Sequence, residues 1–276
     1  MLTIAYLGPE KTNTHFAAMK RFGKRARYLH APTVDDVFHF VERRNADYGV
    51  VPVENSLEGA VTHTLDRFID FVDTPVSIQG EVEQVIQHYL ITAGRIKKLR
   101  DIIMVCSHPQ ALAQCRSWLS QHLGHAVLRE MNSTAEALAF ALEDPKARRA
   151  AIGRKELADQ WKLSAMPISD QRENKTRFLI LGHENPRKSA RNKTSILFAL
   201  KDRPGALHDS LMPFKRQGIN LTKIESRPSK KKAWEYLFFI DVEGHITEPR
   251  VTRALKALER STSLLRVLGS YPVASR

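Results

Sequence analysis

Residues 2–9, LTIAYLGP, alternate apolar and polar positions and stop at Gly8-Pro9, and residues 14–23, THFAAMKRFG, carry apolar side chains at helical spacing up to Gly23. Period two followed by period 3.6 across a short loop reads as strand, loop, helix. The same alternation continues outward. VDDVFHFVERR (34–44) reads as a helix, DYGVVPVEN (47–55) as a short buried strand ending in a polar loop, and SLEGAVTHTLDRFID (56–70) carries a third helix. From Val76 the register changes: VSIQGEVEQVIQHYLIT (76–92) is extended, IIMVCS (102–107) is a buried strand and ALAQCRSWLSQHL (111–123) an amphipathic helix. STAEALAFALED, ARRAAIGRKELADQW and the strand TRFLILG (176–182) complete the segment. Such an order builds open α/β sheets covered on both faces, whose ligands sit beyond the strand ends.

GHENPRKSARNK (182–193) is polar, contains a proline and has no apolar period, so it reads as a linker. Beyond it come TSILFAL, GALHDSLMPFKRQG, NLTKIESRP, AWEYLFFIDV, EPRVTRALKALERST and LLRVLGSY. That is a βαββαβ unit of the ferredoxin-like kind. A chain of 276 residues accommodates two domains.

The composition is that of a globular protein, 42% hydrophobic and 26% charged, and no run approaches the roughly 18 apolar residues of a membrane span. The N-terminus has no basic segment ahead of its apolar run, so no signal peptide is read and a cytoplasmic location is expected. Cys106 and Cys115 form no disulfide or zinc pattern and are expected to be buried. The histidines are scattered, and neither a metal nor a cofactor is expected. The net charge of +13 is concentrated after residue 186, where 19 Lys and Arg stand against 8 Asp and Glu. The acidic residues interspersed there argue for a solvated basic face, with Lys230, Lys231 and Lys232 in an exposed turn, rather than a nucleic-acid site.

Five blocks carry a resemblance. VPVENSLEGAVTHTLD (51–66), SHPQALAQC (107–115) and NKTRFLILG (174–182) resemble the signatures of the prephenate dehydratase family, and GALH (205–208) with ESRP (225–228) resembles the effector motifs of that family's ACT domain. The resemblance implies a two-lobed catalytic region at 1–181, similar to type 2 periplasmic binding proteins, with lobes of 1–76 plus 169–181 and of 77–168 and the active site between them. It also implies a linker at 182–193 and an ACT regulatory domain at 194–276. The implied reaction removes water and carbon dioxide from prephenate to give phenylpyruvate. Arogenate dehydratase and a catalytically inactive amino-acid sensor are the alternatives. Since no chorismate mutase helix precedes Met1, a monofunctional enzyme is expected.

The resemblance places the catalytic hydroxyl at Thr176 and substrate contacts at Glu54, Asn55, Ser56, Ser107, Gln114, Thr12, Arg177 and Phe178. A neutral hydroxyl can hydrogen-bond a departing hydroxide in a desolvated cleft. Read from the residues alone, Asn55 is also a turn residue, Ser107 a helix N-cap and Gln114 an exposed helical position. If the helix begins at once, seven-residue spacing puts Ser107 and Gln114 on one face.

The chain departs from the family in two places. Lys11 and Asn13 stand where a glycine and an aromatic are usual, so another loop shape or contact is expected. Arg154 stands where a small or polar residue is usual and offers a partner for a carboxylate. In the C-terminal unit, Gly205, Ala206, Leu207 and His208 are implied to hold an amino-acid carboxylate at a helix N-terminus. Glu225, Ser226, Arg227 and Pro228 are implied to form the opposite wall. The expected effector is L-phenylalanine, bound in a homodimer or homotetramer.

Overall fold

The structure, a computed structural model, describes residues 1–70, 74–94, 98–168, 174–184, 186–201, 203–229 and 236–274. Lys230, Lys231 and Lys232 lie outside the described residues, as does the expected return of the chain near Ser169. The chain forms two compact units, one of residues 1–84 with 175–276 and one of 85–174. The sequence reading put the first divide at Ser77. In the structure the strand beginning there stays with the first sheet as far as Gln84.

The larger unit opens with β1 (Thr3–Leu7), α1 (Asn13–Phe22), β2 (Arg27–Ala31), α2 (Val34–Glu42), β3 (Tyr48–Asn55), β4 (Gly59–Ala60), α3 (Thr62–Asp70) and β5 (Ser77–Val85). The smaller unit contains β6 (His88–Thr92), β7 (Met104–Ser107), α4 (Pro109–Gln114), α5 (Arg116–Leu123), β8 (Val127–Glu130), α6 (Thr134–Leu142), β9 (Arg149–Gly153), α7 (Lys155–Gln160) and β10 (Ser164–Ile168). Its sheet runs β10-β6-β9-β7-β8. Leu90, Val105 and Ile152 pack with α4 and α5 on one side, while Ile91, Cys106 and Ala151 pack with α6 and α7 on the other. Cys106 and Cys115 are both buried.

The chain returns to the larger unit as β11 (Lys175–Gly182), which lies in the sheet β2-β1-β3-β11-β5. Both faces are covered because alternate residues face opposite ways. Ile4, Tyr6, Val50, Phe178 and Ile180 share one cluster with Ala17 and Ala18 of α1. Ala5, Val51, Val53, Leu179 and Leu181 share the other with α2 and α3. Helix α2 starts on a capping box, Thr33 and Asp36 each bonding the other's backbone N–H.

The βαββαβ unit follows as β12 (Asn192–Leu200), α8 (Ala206–Arg216), β13 (Leu221–Pro228), β14 (Tyr236–Glu243), α9 (Pro249–Glu259) and β15 (Thr262–Pro272), with sheet order β13-β14-β12-β15. Ile196, Phe198, Ile240 and Val242 pack on α8 and α9. The opposite face, with Leu197, Ala199, Leu237, Phe239, Leu268 and Tyr271, joins the core of the first sheet. The approach is close at Gly269, where a Cβ would run into the backbone carbonyl of Ile78. This sheet is therefore apolar on both sides, and its second side depends on α3 and β5. No described helix is long and apolar enough to cross a membrane.

Candidate active site

The end of β3 and the start of β11 run antiparallel, with Asn55 opposite Thr176 and Glu54 opposite Arg177. The ladder slips immediately afterwards, where Phe178 faces Pro52 and Val53 is passed over. Pro52 has no N–H to give, so a bulge there is the expected accommodation. Beside the bulge, the Asn55 Nδ2 donates to Thr176 Oγ1 at 2.9 Å. Asn55 Oδ1 accepts from the backbone N–H of Leu57 at 2.9 Å and of Glu58 at 3.1 Å. Those two amides decide which way the carboxamide points, so its NH2 group must face the threonine. Thr176, only 9% exposed, receives this bond on its oxygen and keeps its own proton for another acceptor. Ser56 closes the same corner: its hydroxyl accepts from Lys175 N at 3.0 Å.

Glu54 and Arg177 project from the opposite face of these strands. Arg177 Nη2 and Nε reach Glu54 Oε2 at 2.6 and 3.1 Å, and its Nη1 reaches Glu81 Oε2 at 3.0 Å and Asp241 Oδ2 at 2.8 Å. Burial pushes the Glu54 carboxyl up, and Arg177 and Lys223 outweigh it, holding the group below the ordinary glutamate value. Burial alone would lower the guanidinium, but Asp241, Glu81 and Glu54 drive it further up, so it stays charged. Phe178 is 1% exposed in the interior cluster with Tyr6 and Val50. The sequence reading expected substrate contacts at both positions; the structure places Arg177 in an ion cluster and Phe178 in the core.

Thr12 is the N-cap of α1, accepting from His15 N at 3.3 Å. Lys11 keeps a left-handed φ of 66°, and its N–H donates to His15 Nδ1 at 2.9 Å. Lysine here holds the left-handed conformation that glycine favours, and Asn13 begins the helix.

In the smaller unit Ser107 ends β7, fully buried, and its hydroxyl donates to the Ile152 carbonyl at 2.7 Å. The cap of α4 is His108, with Pro109 next. The argument that put Ser107 and Gln114 on one helical face fails, since Ser107 precedes the helix. Gln114 Oε1 accepts from Asn174 Nδ2 at 3.1 Å and lies 2.7 Å from His88 Nε2. A carbonyl oxygen needs a donor there, so the imidazole proton sits on Nε2. That leaves Nδ1 buried without a hydrogen-bond partner among the described residues. Burial lowers the His88 pKa, Gln114 partly opposes that, and Arg154 lowers it again. Arg154 itself bonds Glu156 at 3.3 Å. His88 escaped the sequence reading, since nothing in QHYLIT separates it from a strand-end histidine. Among the described residues no metal-ligand cluster occurs.

Residues 4–186 match the prephenate dehydratase family, and residues 194–260 match the ACT domain. The chain belongs to the prephenate dehydratase family. That membership makes it a carbon–oxygen lyase. It is 48% identical over 273 residues to a bifunctional chorismate mutase/prephenate dehydratase of Aquifex aeolicus, covering 99% of this chain and 74% of that one. A prephenate dehydratase of Methanocaldococcus jannaschii is 42% identical over 246 residues, 87% of this chain and 86% of its own. A crystal structure of prephenate dehydratase from Arthrobacter aurescens in complex with L-Phe superposes with a TM-score of 0.84 at 34% identity, over 98% of this chain and 90% of that one.

Of the motifs expected to bind an effector in this prephenate dehydratase relative, Gly205 is the N-cap of α8 with φ 75°, and Ala206, Leu207 and His208 form the first turn. His208 points to solvent beside Asp209, 3.1 Å away. Glu225, Ser226, Arg227 and Pro228 end the edge strand β13. Arg227 is turned toward α3, where Nε and Nη2 bind Asp66 at 2.9 and 3.2 Å. A fork on a carboxylate is a strong and specific contact, and it gives Arg227 an intramolecular task that its motif did not reveal.

Proposed function

We propose that this chain dehydrates and decarboxylates prephenate to phenylpyruvate. The observation that carries the reading is the Thr176 hydroxyl, buried and accepting from Asn55, with its proton left to donate. The ring C–O bond breaks as the bond to the ring carboxylate releases its electron pair into the ring. Carbon dioxide leaves, the ring becomes aromatic, and the departing hydroxide takes up one proton to become water. Thr176 stabilises that hydroxide by hydrogen bonding as charge develops, which a hydroxyl does without being ionised. Asn55 fixes the direction of the donor, and Ser107 and Gln114 remain proposed substrate contacts.

Residues 1–181 are the catalytic part in this reading, 182–193 the linker and 194–276 the regulatory domain. L-phenylalanine is the effector, held at the first turn of α8 and at β13, in a homodimer or homotetramer. The outer edge of β13, unpaired among the described residues, and its 47% exposed Ile224 suit a second copy. A cytoplasmic location belongs to the same reading. The test is purified protein with prephenate and, separately, arogenate. Phenylpyruvate from the first supports the proposal, phenylalanine from the second favours an arogenate dehydratase, and no turnover of either leaves an amino-acid sensor.

A further inference from the structure

Behind the Asn55–Thr176 pair lies a group of six charges that the reaction does not use. Arg177, Lys193 and Lys223 stand against Glu54, Glu81 and Asp241. Lys193 Nζ binds Glu81 at 3.0 Å, and Lys223 Nζ lies 3.3 Å from Glu54 Oε1. Glu81 has a side chain 1% exposed and Arg177 one 11% exposed. Asp241 is held from its far side as well, where Ser195 Oγ donates to Oδ1 at 2.6 Å and lies 2.7 Å from the Tyr271 hydroxyl. The group is neutral in sum, and each carboxylate has at least one cation within hydrogen-bond reach.

Hydrophobic residues of the same size often serve stability as well as such a cluster does, so stability alone does not account for it. Its location does. Arg177 is adjacent to Thr176 in β11 and precedes the point where the ladder slips past Val53. A bulge weakens the local backbone restraint on the reacting side chain. The guanidinium restores it by fixing the reverse face of β11 in three directions, to Glu54 on β3, Glu81 on β5 and Asp241 on β14. Asp241 and Ser195 are paired across β12 and β14 at the polar end of an otherwise apolar sheet face.

We propose that Arg177 and Asp241 are positioning residues, which hold the Thr176 hydroxyl and the Asn55 amide in reacting geometry from the C-terminal sheet. The proposal rests on the reading of Thr176 as the donor. It assigns the C-terminal sheet a part in turnover even without an effector.

Steady-state kinetics with prephenate on the full chain tests it, comparing Asp241→Asn with Arg266→Met. Arg266 also ties the C-terminal sheet to the first lobe, through the carbonyls of Thr74 at 2.8 Å and Val76 at 3.5 Å, which belong to the segment just ahead of β5. Asp241→Asn is expected to lower kcat roughly 10- to 100-fold, the scale of a misplacement near one ångström, with KM nearly unchanged. Arg266→Met should keep the kcat of the parent. Equal kcat in Asp241→Asn and parent, or equal losses in both variants, overturns the proposal. Should Asp241→Asn not fold, Ser195→Ala, which removes only one hydrogen bond, decides: a severalfold lower kcat supports the proposal and a parental kcat ends it. Hydrogen exchange of the Asn55 side-chain amide separates this idea from the functional reading. Faster exchange in Asp241→Asn or Ser195→Ala but not in Arg266→Met supports positioning even if the parent fails to turn over prephenate. Equal rates in all sink it.

Discussion

Asn55 donates to Thr176 at 2.9 Å while its own carbonyl oxygen is taken by Leu57 and Glu58. The orientation of the amide is thus set by the turn that follows it. Asn55→Asp keeps an acceptor for the turn but loses the NH2 group. Thr176 must then donate to the carboxylate, which withdraws its proton from the substrate. Its kcat is expected to fall about as far as that of Thr176→Val, on the order of 10²- to 10⁴-fold. The double variant should be no worse than the poorer single one, because the two residues act as a unit. Kinetics of the three variants with prephenate checks this. Additive losses would show two separate roles.

Lys11 holds φ 66° with an exposed side chain. A side chain in the left-handed region costs roughly 1–2 kcal/mol, part of which glycine returns through the greater freedom of its unfolded chain. Lys11→Gly is therefore expected to stabilise the protein by about 0.5–1 kcal/mol. Denaturant melts of the two proteins measure it. A less stable variant would mean that the lysine side chain makes a contact worth more than the strain.

The chain's periodicities were a good guide where strands and helices were long and half-buried, as in β1, α1, β3 and the whole βαββαβ unit. They missed β2, β8 and β10. In β8 all four residues, Val127 to Glu130, are exposed, so no buried face marks it. The helix read through Cys115 is two helices, because residue Cys115 leaves the α region with ψ 12°. Arg177 and Phe178 show a different limit. Alternation says that neighbours in a strand face opposite ways, but not which face meets substrate. The carboxylates that claim Arg177 lie 64 to 123 residues away in the chain. Asn55 and Thr176, 121 residues apart, came together only because their two motif blocks resemble separate signatures of one family.

His88 supplies a pH dependence. Burial lowers its pKa below the ordinary value of 6.5, Gln114 opposes this in part, and Arg154 adds to it. Between the folded and unfolded values the unfolded chain binds more protons, so acid favours unfolding. The stability tied to neutral His88 is complete above pH 6.5 and is lost as the pH falls through the folded value. His88→Gln has no such group and should lose less melting temperature between pH 8 and pH 5 than the parent. Parallel melting profiles would show that the imidazole is charged or solvated in the folded protein.

The last prediction concerns the effector. Gly205 holds φ 75°, and a Cβ on it would meet nothing within 4 Å. The demand for glycine is therefore conformational: valine is poorly tolerated at positive φ and would re-aim the first N–H groups of α8, which carry the proposed carboxylate contact. Gly205→Val is expected to weaken phenylalanine binding at least about tenfold, the equivalent of one charge-assisted hydrogen bond. Linkage requires a reciprocal effect in the parent: whatever factor phenylalanine applies to prephenate affinity, prephenate applies to phenylalanine affinity. Calorimetric titration of each ligand with and without saturating partner measures both factors. The full chain has to be used, since a 190–276 fragment would expose Leu197, Leu237, Phe239, Leu268 and Tyr271, which the first lobe now covers. Equal factors that both move to one in Gly205→Val would establish the effector site at α8. A parent that gives no heat with phenylalanine, and whose turnover ignores it, would leave the C-terminal sheet with the structural tie through Arg177 and Arg227 and no regulatory ligand.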